Sequence, residues 1–209
     1  MPTVDVSPTH YTIDGKPYLR VTEVIKRVFP QPDLQDWRAS VGKIRADRYL
    51  KHSAHVGTTV DKTITRLLMK PGSKLLIPTQ AEVKMALRGW TKWQTLNDIQ
   101  AVACQELVWS EELGVAGTLD CRTAAEIIDW KASSRIRPEY VLQVNTYWGL
   151  LPEAVRDTIR QARIVRFDKL LGDWEERKIY FRPDLFDLFV SMVEVYRGWQ
   201  TLTEPEEGV

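Results

Sequence analysis

The sequence predicts an α/β fold, a mixed central β-sheet flanked by helices and preceded by a mainly helical portion. Three observations predict it. Apolar residues recur at helical spacing through most of residues 1–99, strand-like alternation takes over in residues 100–209, and helical segments separate the strands of that second stretch. A chain of 209 residues with 44% hydrophobic and 27% charged residues suits one domain spanning 1–209, with a helical part at 1–99 and an α/β part at 100–209.

The elements follow in order. Asp14-Gly15-Lys16-Pro17 is turn chemistry between Tyr11-Thr12-Ile13 and Tyr18-Leu19-Arg20-Val21, so residues 10–20 read as a hairpin. Thr22 is expected to cap a helix with the apolar stripe Val24, Ile25 and Val28, stopped by Pro30 and Pro32. Helices over 34–49 and 56–68 follow, the second broken by Pro71-Gly72, and 79–98 is amphipathic through Val83, Leu87, Trp90 and Leu96. Strands are predicted over 101–109, 115–121 and 126–131, with a turn at Thr123-Ala124-Ala125. A helix over 137–151 leads to another begun by Pro152 and running to about Gln161. Strands at 164–167 and 176–181 surround Gly172-Asp173, and a helix over 183–202 closes the chain. Trp90, Trp130, Trp148 and Trp199 lie in apolar patterns and read as core.

The hairpin at 115–131 carries the chemistry. With its turn centred between Ala124 and Ala125, Asp120 lies opposite Asp129, and directly opposed residues share a face with Cβ atoms roughly 4.5–5.5 Å apart. Alternation brings Lys131 to that face, opposite Thr118. Two carboxylates that close repel unless a proton or a cation lies between them, and hard oxygen ligands suit Mg²⁺ or Mn²⁺. A surface salt bridge between Asp129 and Lys131 is the plainer alternative for these three residues alone. On the next helix Gln143 and Tyr147 are an i, i+4 pair with Tyr140 one turn earlier.

Composition bounds the partners. The formal charge of +1 conceals 16 Lys or Arg against 9 Asp or Glu in residues 1–100, a net +7, and 13 against 19 in residues 101–209, a net −6. The first part would meet a polyanion, and the second gathers carboxylates that could hold cations. Arg38, Lys43, Arg45 and Arg48 form the densest basic segment, with Trp37 beside it as a candidate for base stacking. Ser133, Ser134 and Arg135, just after Lys131, could grip a phosphate or simply cap the next helix. No apolar run approaches the roughly 20 residues that span a bilayer, and the first residues lack the pattern of a secretion signal, so a cytoplasmic protein without a membrane partner is expected. Cys104 and Cys121 are too few for a disulfide framework, a four-thiolate zinc site or an iron–sulfur cluster.

Taken together, Glu106, Gly117-Thr118-Leu119-Asp120, Ile127-Ile128-Asp129-Trp130-Lys131 and Gln143-x-x-x-Tyr147 resemble the RecB-like and phage-type exonuclease branch of the PD-(D/E)XK nuclease superfamily. The resemblance extends over about residues 10–200, with its sharp motifs in 106–147. It implies a restriction-endonuclease-like core. It implies further that Asp120 and Asp129 hold one or two Mg²⁺ or Mn²⁺ ions, that the Trp130 carbonyl adds an oxygen ligand, and that Lys131 orients or helps deprotonate the attacking water. Glu106 would support the site through a metal-bound water or second cation, while Gln143 and Tyr147 would position the lysine and the nucleic-acid backbone. In that branch an upstream helix carries a histidine ligand after a Gly-Thr-x-Val pattern. Here the run is Gly57-Thr58-Thr59-Val60-Asp61, so Asp61 stands where histidine is expected, and His52 and His55 read as solvent-facing.

The function this implies is a metal-dependent DNA nuclease that hydrolyses phosphodiester bonds. An exonuclease acting on DNA ends, single-stranded ones first, is expected in recombination, repair or phage DNA processing within a bacterial or phage-infected cell, with recombination or replication proteins as partners. The alternatives are a structure-selective or restriction-like endonuclease and a catalytically silent DNA-binding protein on the same fold.

Overall fold

A computed structural model describes residues 2–70, 72–75 and 78–203. Its strands are β1 (Val4–Val6), β2 (His10–Ile13), β3 (Lys16–Arg20), β4 (Ala103–Ser110), β5 (Val115–Arg122), β6 (Glu126–Lys131), β7 (Gln161–Phe167) and β8 (Trp174–Ile179). The helices are α1 (Val21–Val28), α2 (Pro32–Val41), α3 (Lys43–Met69), α4 (Ala81–Leu96), α5 (Pro138–Leu150), α6 (Glu153–Arg156) and α7 (Pro183–Thr203). The strands make one mixed sheet, in the order β1-β2-β3-β5-β6-β7-β8 with β4 also paired to β5. The β3–β5 and β6–β7 pairs are parallel and the others antiparallel. Among the described residues no helix is long and apolar enough to cross a membrane.

Helices cover both faces. One core packs Leu119, Ile127 and Ile164 against α1, α5 and α7 through Val24, Leu142, Tyr147, Phe189 and Met192. The other packs Ile128, Trp130, Val165 and Phe167 against Val56, Val60 and Ile64 of α3 and Leu87, Trp90 and Trp93 of α4. Each buried Leu, Ile or Phe contributes about 1.5–3 kcal/mol by leaving water, and the alternation of Ile127, Ile128 and Trp130 commits β6 to burial on both sides.

The decisive feature for function is how β5 is paired. β4 runs along one edge of β5 from Val115 to Arg122. The other edge is shared: β3 pairs only with Val115 and Ala116, and β6 only with Cys121 and Arg122. Between them, residues 117–120 have no ladder partner on that edge among the described residues. The sheet opens there, because β3 and β6 diverge from a common neighbour.

Several expectations need correction. The basic segment is not one helix with a separate successor: Gly42, with φ of +82°, ends α2, and a single helix of 27 residues runs from Lys43 to Met69. Pro71, expected to break that segment, lies outside the described residues. Thr22 does not cap α1, whose cap position is Arg20, so the chain passes from β3 into helix without a break. The helix expected from Pro152 to about Gln161 shrinks to α6, since β7 begins at Gln161. Trp199, expected in the core, is 67% exposed on the outer face of α7. Strand β1 was not expected at all. Its three exposed residues carry no alternation of burial that a sequence pattern could reveal.

Candidate active site

The site forms in the opening between β5 and β6. The ladder register Cys121↔Ile128 and Arg122↔Ile127, continued by one step, sets Asp120 opposite Asp129. The strands part before a backbone bond can form there. Asp120 fills the place of the lost partner by accepting a hydrogen bond from the Trp130 backbone N–H at Oδ2, 2.9 Å away. An exposed or apolar residue at 120 would leave that amide unpaired, at a cost of about 1–3 kcal/mol.

Lys131 completes the group. Its Nζ donates to Asp129 Oδ1 at 2.9 Å and stands 2.8 Å from Asp129 Oδ2, which is enclosed and accepts no aligned hydrogen bond among the described residues. The same ammonium donates to Gln143 Oε1 at 3.3 Å and lies 4.9 Å from the centre of the Tyr140 ring. Gln143 Nε2 in turn donates to the Tyr147 hydroxyl at 3.1 Å. One continuous chain therefore links Asp129, Lys131, Gln143 and Tyr147, with the last two on adjacent turns of α5. Tyr147 packs against β5 at Gly117, where any Cβ would stand 2.3 Å from its Cε1. Beside it, Thr118 Oγ1 and the Tyr11 hydroxyl are 2.9 Å apart.

Burial and like charge govern the protonation of the carboxyls. Asp120 is held well above the ordinary carboxylate range, first by desolvation and then by Asp129, against the opposing pull of Lys131. Asp129 is raised by desolvation, which the Lys131 charge and hydrogen bond only partly offset. Asp61 on α3 is pushed up to about 6 by burial, with Lys131 opposing and Asp129 adding. For Lys131, burial favours the neutral amine, but the charges of Asp129 and Asp120 outweigh it and raise its pKa above the ordinary value. It is a fixed cation in this arrangement rather than a proton acceptor. Burial also raises the Tyr147 hydroxyl, so it remains a neutral phenol.

Asp120, Lys131 and Tyr140 line a cleft of about 1050 Å³ between α3 and the segment joining β6 to α5, whereas Asp129, Gln143 and Tyr147 do not line it. Residues 50, 53, 54, 57, 58 and 61 of α3, one face at helical spacing, form one wall. Trp37 and Tyr49 pack edge-on with ring centres 5.3 Å apart, and Lys169, Arg135 and Arg137 add positive charge.

Not every expected residue arrives here. Glu106 is taken by Arg122 in a two-point ion pair, at 2.6 and 2.8 Å, and does not line the cleft. Asp61 lines the cleft, but both of its oxygens accept from Gln105 Nε2, at 3.0 and 3.2 Å. Trp37, Ser133, Ser134 and Arg135 line the cleft, with the Ser133 hydroxyl donating to the Arg135 carbonyl and Arg135 paired to Asp33 of α2. Arg38 is paired with Asp47, and Lys43, Arg45 and Arg48 are exposed on α3 outside the cleft. His52 pairs with Glu82 of α4, and His55 is exposed. The Trp130 indole is core, as expected.

Lys169 was missed. It is 8% exposed, donates to Ser53 Oγ at 2.9 Å and lies 3.2 Å from Glu82 Oε1. It sits in the turn after β7, where no periodicity marks a residue as buried.

Among the described residues no three His, Cys, Asp or Glu side chains stand close enough together to enclose an ion by themselves. Two acidic groups facing each other across the opening, with an enclosed carboxylate oxygen lacking an aligned donor, nevertheless fit one hard cation whose remaining ligands come from backbone or water.

No family model matches the sequence, and no curated protein is similar to it. Solved structures are similar in shape. An alkaline exonuclease from Laribacter hongkongensis superposes over 87% of this chain and 87% of its own, with a TM-score of 0.50 and 11% identity. The same enzyme in complex with dAMP gives a TM-score of 0.49 at 10% identity, again over 87% of each chain. A phage-related exonuclease from Haemophilus somnus 129PT matches 68% of this chain and 81% of its own, with a TM-score of 0.41 and 14% identity. The first likeness shows that this chain shares the mixed α/β fold of that solved structure, a central mixed sheet with helices on both faces.

Proposed function

We propose that the protein is a metal-dependent deoxyribonuclease, acting on DNA ends as an exonuclease. The observation that carries this reading is the meeting of Asp120, Asp129 and Lys131 where β5 and β6 part, linked through Gln143 to Tyr147 and open to a basic, aromatic-lined cleft.

Asp120 and Asp129 would hold Mg²⁺ or Mn²⁺, with the Trp130 carbonyl and Asp61 as further oxygen ligands. The ion, when bound, activates water and neutralises charge on the phosphate. Lys131, already an ammonium between Asp129 and Gln143, holds its charge beside the scissile phosphate and orients water from there. Gln143 fixes the direction of the lysine, and Tyr147 fixes Gln143. Arg135, Arg137 and Lys169 would meet flanking phosphates, and Trp37 against Tyr49 offers a stacking surface for a base of single-stranded DNA. Glu106 would act only at a distance, by fixing Arg122 and with it the end of β5.

The test is degradation of end-labelled single- and double-stranded DNA in Mg²⁺ and in Mn²⁺, with Asp129→Ala as control. Linear DNA should be degraded and covalently closed circles spared. Cleavage of circles would make the protein an endonuclease, and DNA binding without cleavage would make it a silent member of this fold.

A further inference from the structure

Gln105 sits in the middle of β4 with φ of +53°, a left-handed conformation that is costly for a residue with a side chain. Cys104 pairs with Cys121 and Glu106 with Leu119, so each strand advances two residues between these pairs and no extra residue is inserted as in a β-bulge. The pair that falls in the gap is Gln105 with Asp120, one of the two carboxylates at the opening. The conformation accompanies one contact instead: the Gln105 carboxamide crosses to α3 and donates through Nε2 to both oxygens of Asp61, at 3.0 and 3.2 Å.

We infer that Gln105 is a positioning residue for the metal site, a carboxamide held in a strained backbone so that Asp61 is aimed across the cleft towards the Asp120–Asp129 pair. This rests on the metal-dependent reading above and deepens it. Asp61 takes its place from α3, while Asp120 and Asp129 come from the sheet, so nothing in the sheet's own register fixes the distance between them. Gln105 is the sheet residue that reaches across. Its amide leaves lone pairs on both Asp61 oxygens free to bind a cation. A ligating carboxylate oriented by an outer hydrogen bond is the arrangement that tunes metal affinity, and losing such a partner typically weakens it about 10–100-fold.

The two contributions of Gln105 separate by substitution. Gln105→Ala removes the amide and keeps a Cβ in the left-handed backbone, whereas Gln105→Gly removes the amide and relieves the strain. Manganese dissociation constants at pH 8, measured by calorimetry on the full chain, should rise about ten-fold or more in both variants relative to the unaltered protein. The melting temperature without metal should diverge, the glycine variant standing about 2–4 °C above the alanine variant. A purely structural residue would move the melting temperature and leave the dissociation constant alone. Manganese affinity unchanged in both variants overturns the assignment of Gln105 while leaving the nuclease reading intact. Absence of binding by the unaltered protein, or binding equal to that of Asp129→Ala, overturns both.

Discussion

Asp120 accepts the backbone N–H of Trp130 at 2.9 Å, so a carboxylate stands where a strand carbonyl would otherwise close the ladder. The same side chain that ends the β5–β6 pairing is thereby fixed opposite Asp129. Stability and chemistry are separable at this position. Asp120→Asn keeps an oxygen acceptor for the amide and removes a charge that burial and Asp129 disfavour, so it should melt at or above the parent temperature while abolishing cleavage. Asp120→Ala leaves the Trp130 N–H unpaired and should lose about 1–3 kcal/mol. Thermal melts of the two variants decide the point. Equal melting would mean that the hydrogen bond contributes nothing.

Lys131 is the second partner of Asp129, and its replacement tests a role in the reaction. Lys131→Ala should cut the cleavage rate by about 10²–10³-fold and largely spare DNA affinity, because most affinity comes from phosphate contacts spread over the surface. Single-turnover cleavage and a separate binding titration provide the two numbers. A rate within a few-fold of the parent would remove Lys131 from the reaction.

The pH dependence follows from the direction of the carboxyl shifts. Burial pushes Asp61 up to about 6 in the folded protein, and Asp120 and Asp129 are also raised, first by burial. The folded state therefore holds protons that the unfolded chain, with Asp near 3.9, has already released. Stability in the absence of metal should fall as pH rises from about 4 through these folded values. Lys131, raised from 10.5, remains charged throughout that window. A bound divalent cation favours the ionised carboxyls, so the melting shift produced by Mn²⁺ should be small at pH 5 and grow by pH 8. Asp129→Asn should flatten both trends. A shift that is constant with pH would show that Mn²⁺ binds elsewhere.

How much of this could be read from the sequence depends on whether local pattern or distant contact decides each element. The register of the β5–β6 hairpin follows from its turn, so the opposition of Asp120 and Asp129 was legible, and the i, i+4 spacing placed Gln143 and Tyr147 on one face of α5. The divergence of β3 and β6 along β5 was not, because it arises from pairings between residues nearly a hundred positions apart. The Glu106–Arg122 ion pair was not legible for a related reason: it joins residues of β4 and β5 that lie three positions off their direct ladder partners. The α2–α3 break turns on Gly42 alone, within a segment whose helical pattern is otherwise continuous.

The outer basic face makes an independent prediction about DNA. Arg45 and Arg48 are exposed on α3, have no ion-pair partner among the described residues, and lie beyond the cleft that Lys169, Arg135 and Arg137 line. Replacing both with Ala should weaken DNA binding and reduce the slope of log affinity against log salt by about one to two, with the rate of the bound complex unchanged.

The packing of Tyr147 on β5 supplies the last test. Gly117 is the residue that lets the ring approach, since an added Cβ would meet Cε1 at 2.3 Å and Cζ at 3.1 Å. Gly117→Ala must push the ring away, at a cost of about 1–3 kcal/mol from overpacking. Because the Tyr147 hydroxyl accepts from Gln143, and Gln143 accepts from Lys131, that displacement reaches the ammonium within two hydrogen bonds. Gly117→Ala should therefore lower cleavage in parallel with its loss of stability, whereas Tyr147→Phe, which keeps the ring and loses only the hydroxyl, should retain most of the stability and still slow cleavage. If Tyr147→Phe cleaves at the parent rate, the ring matters for packing alone, and the chain from Tyr147 to Lys131 has no part in the reaction.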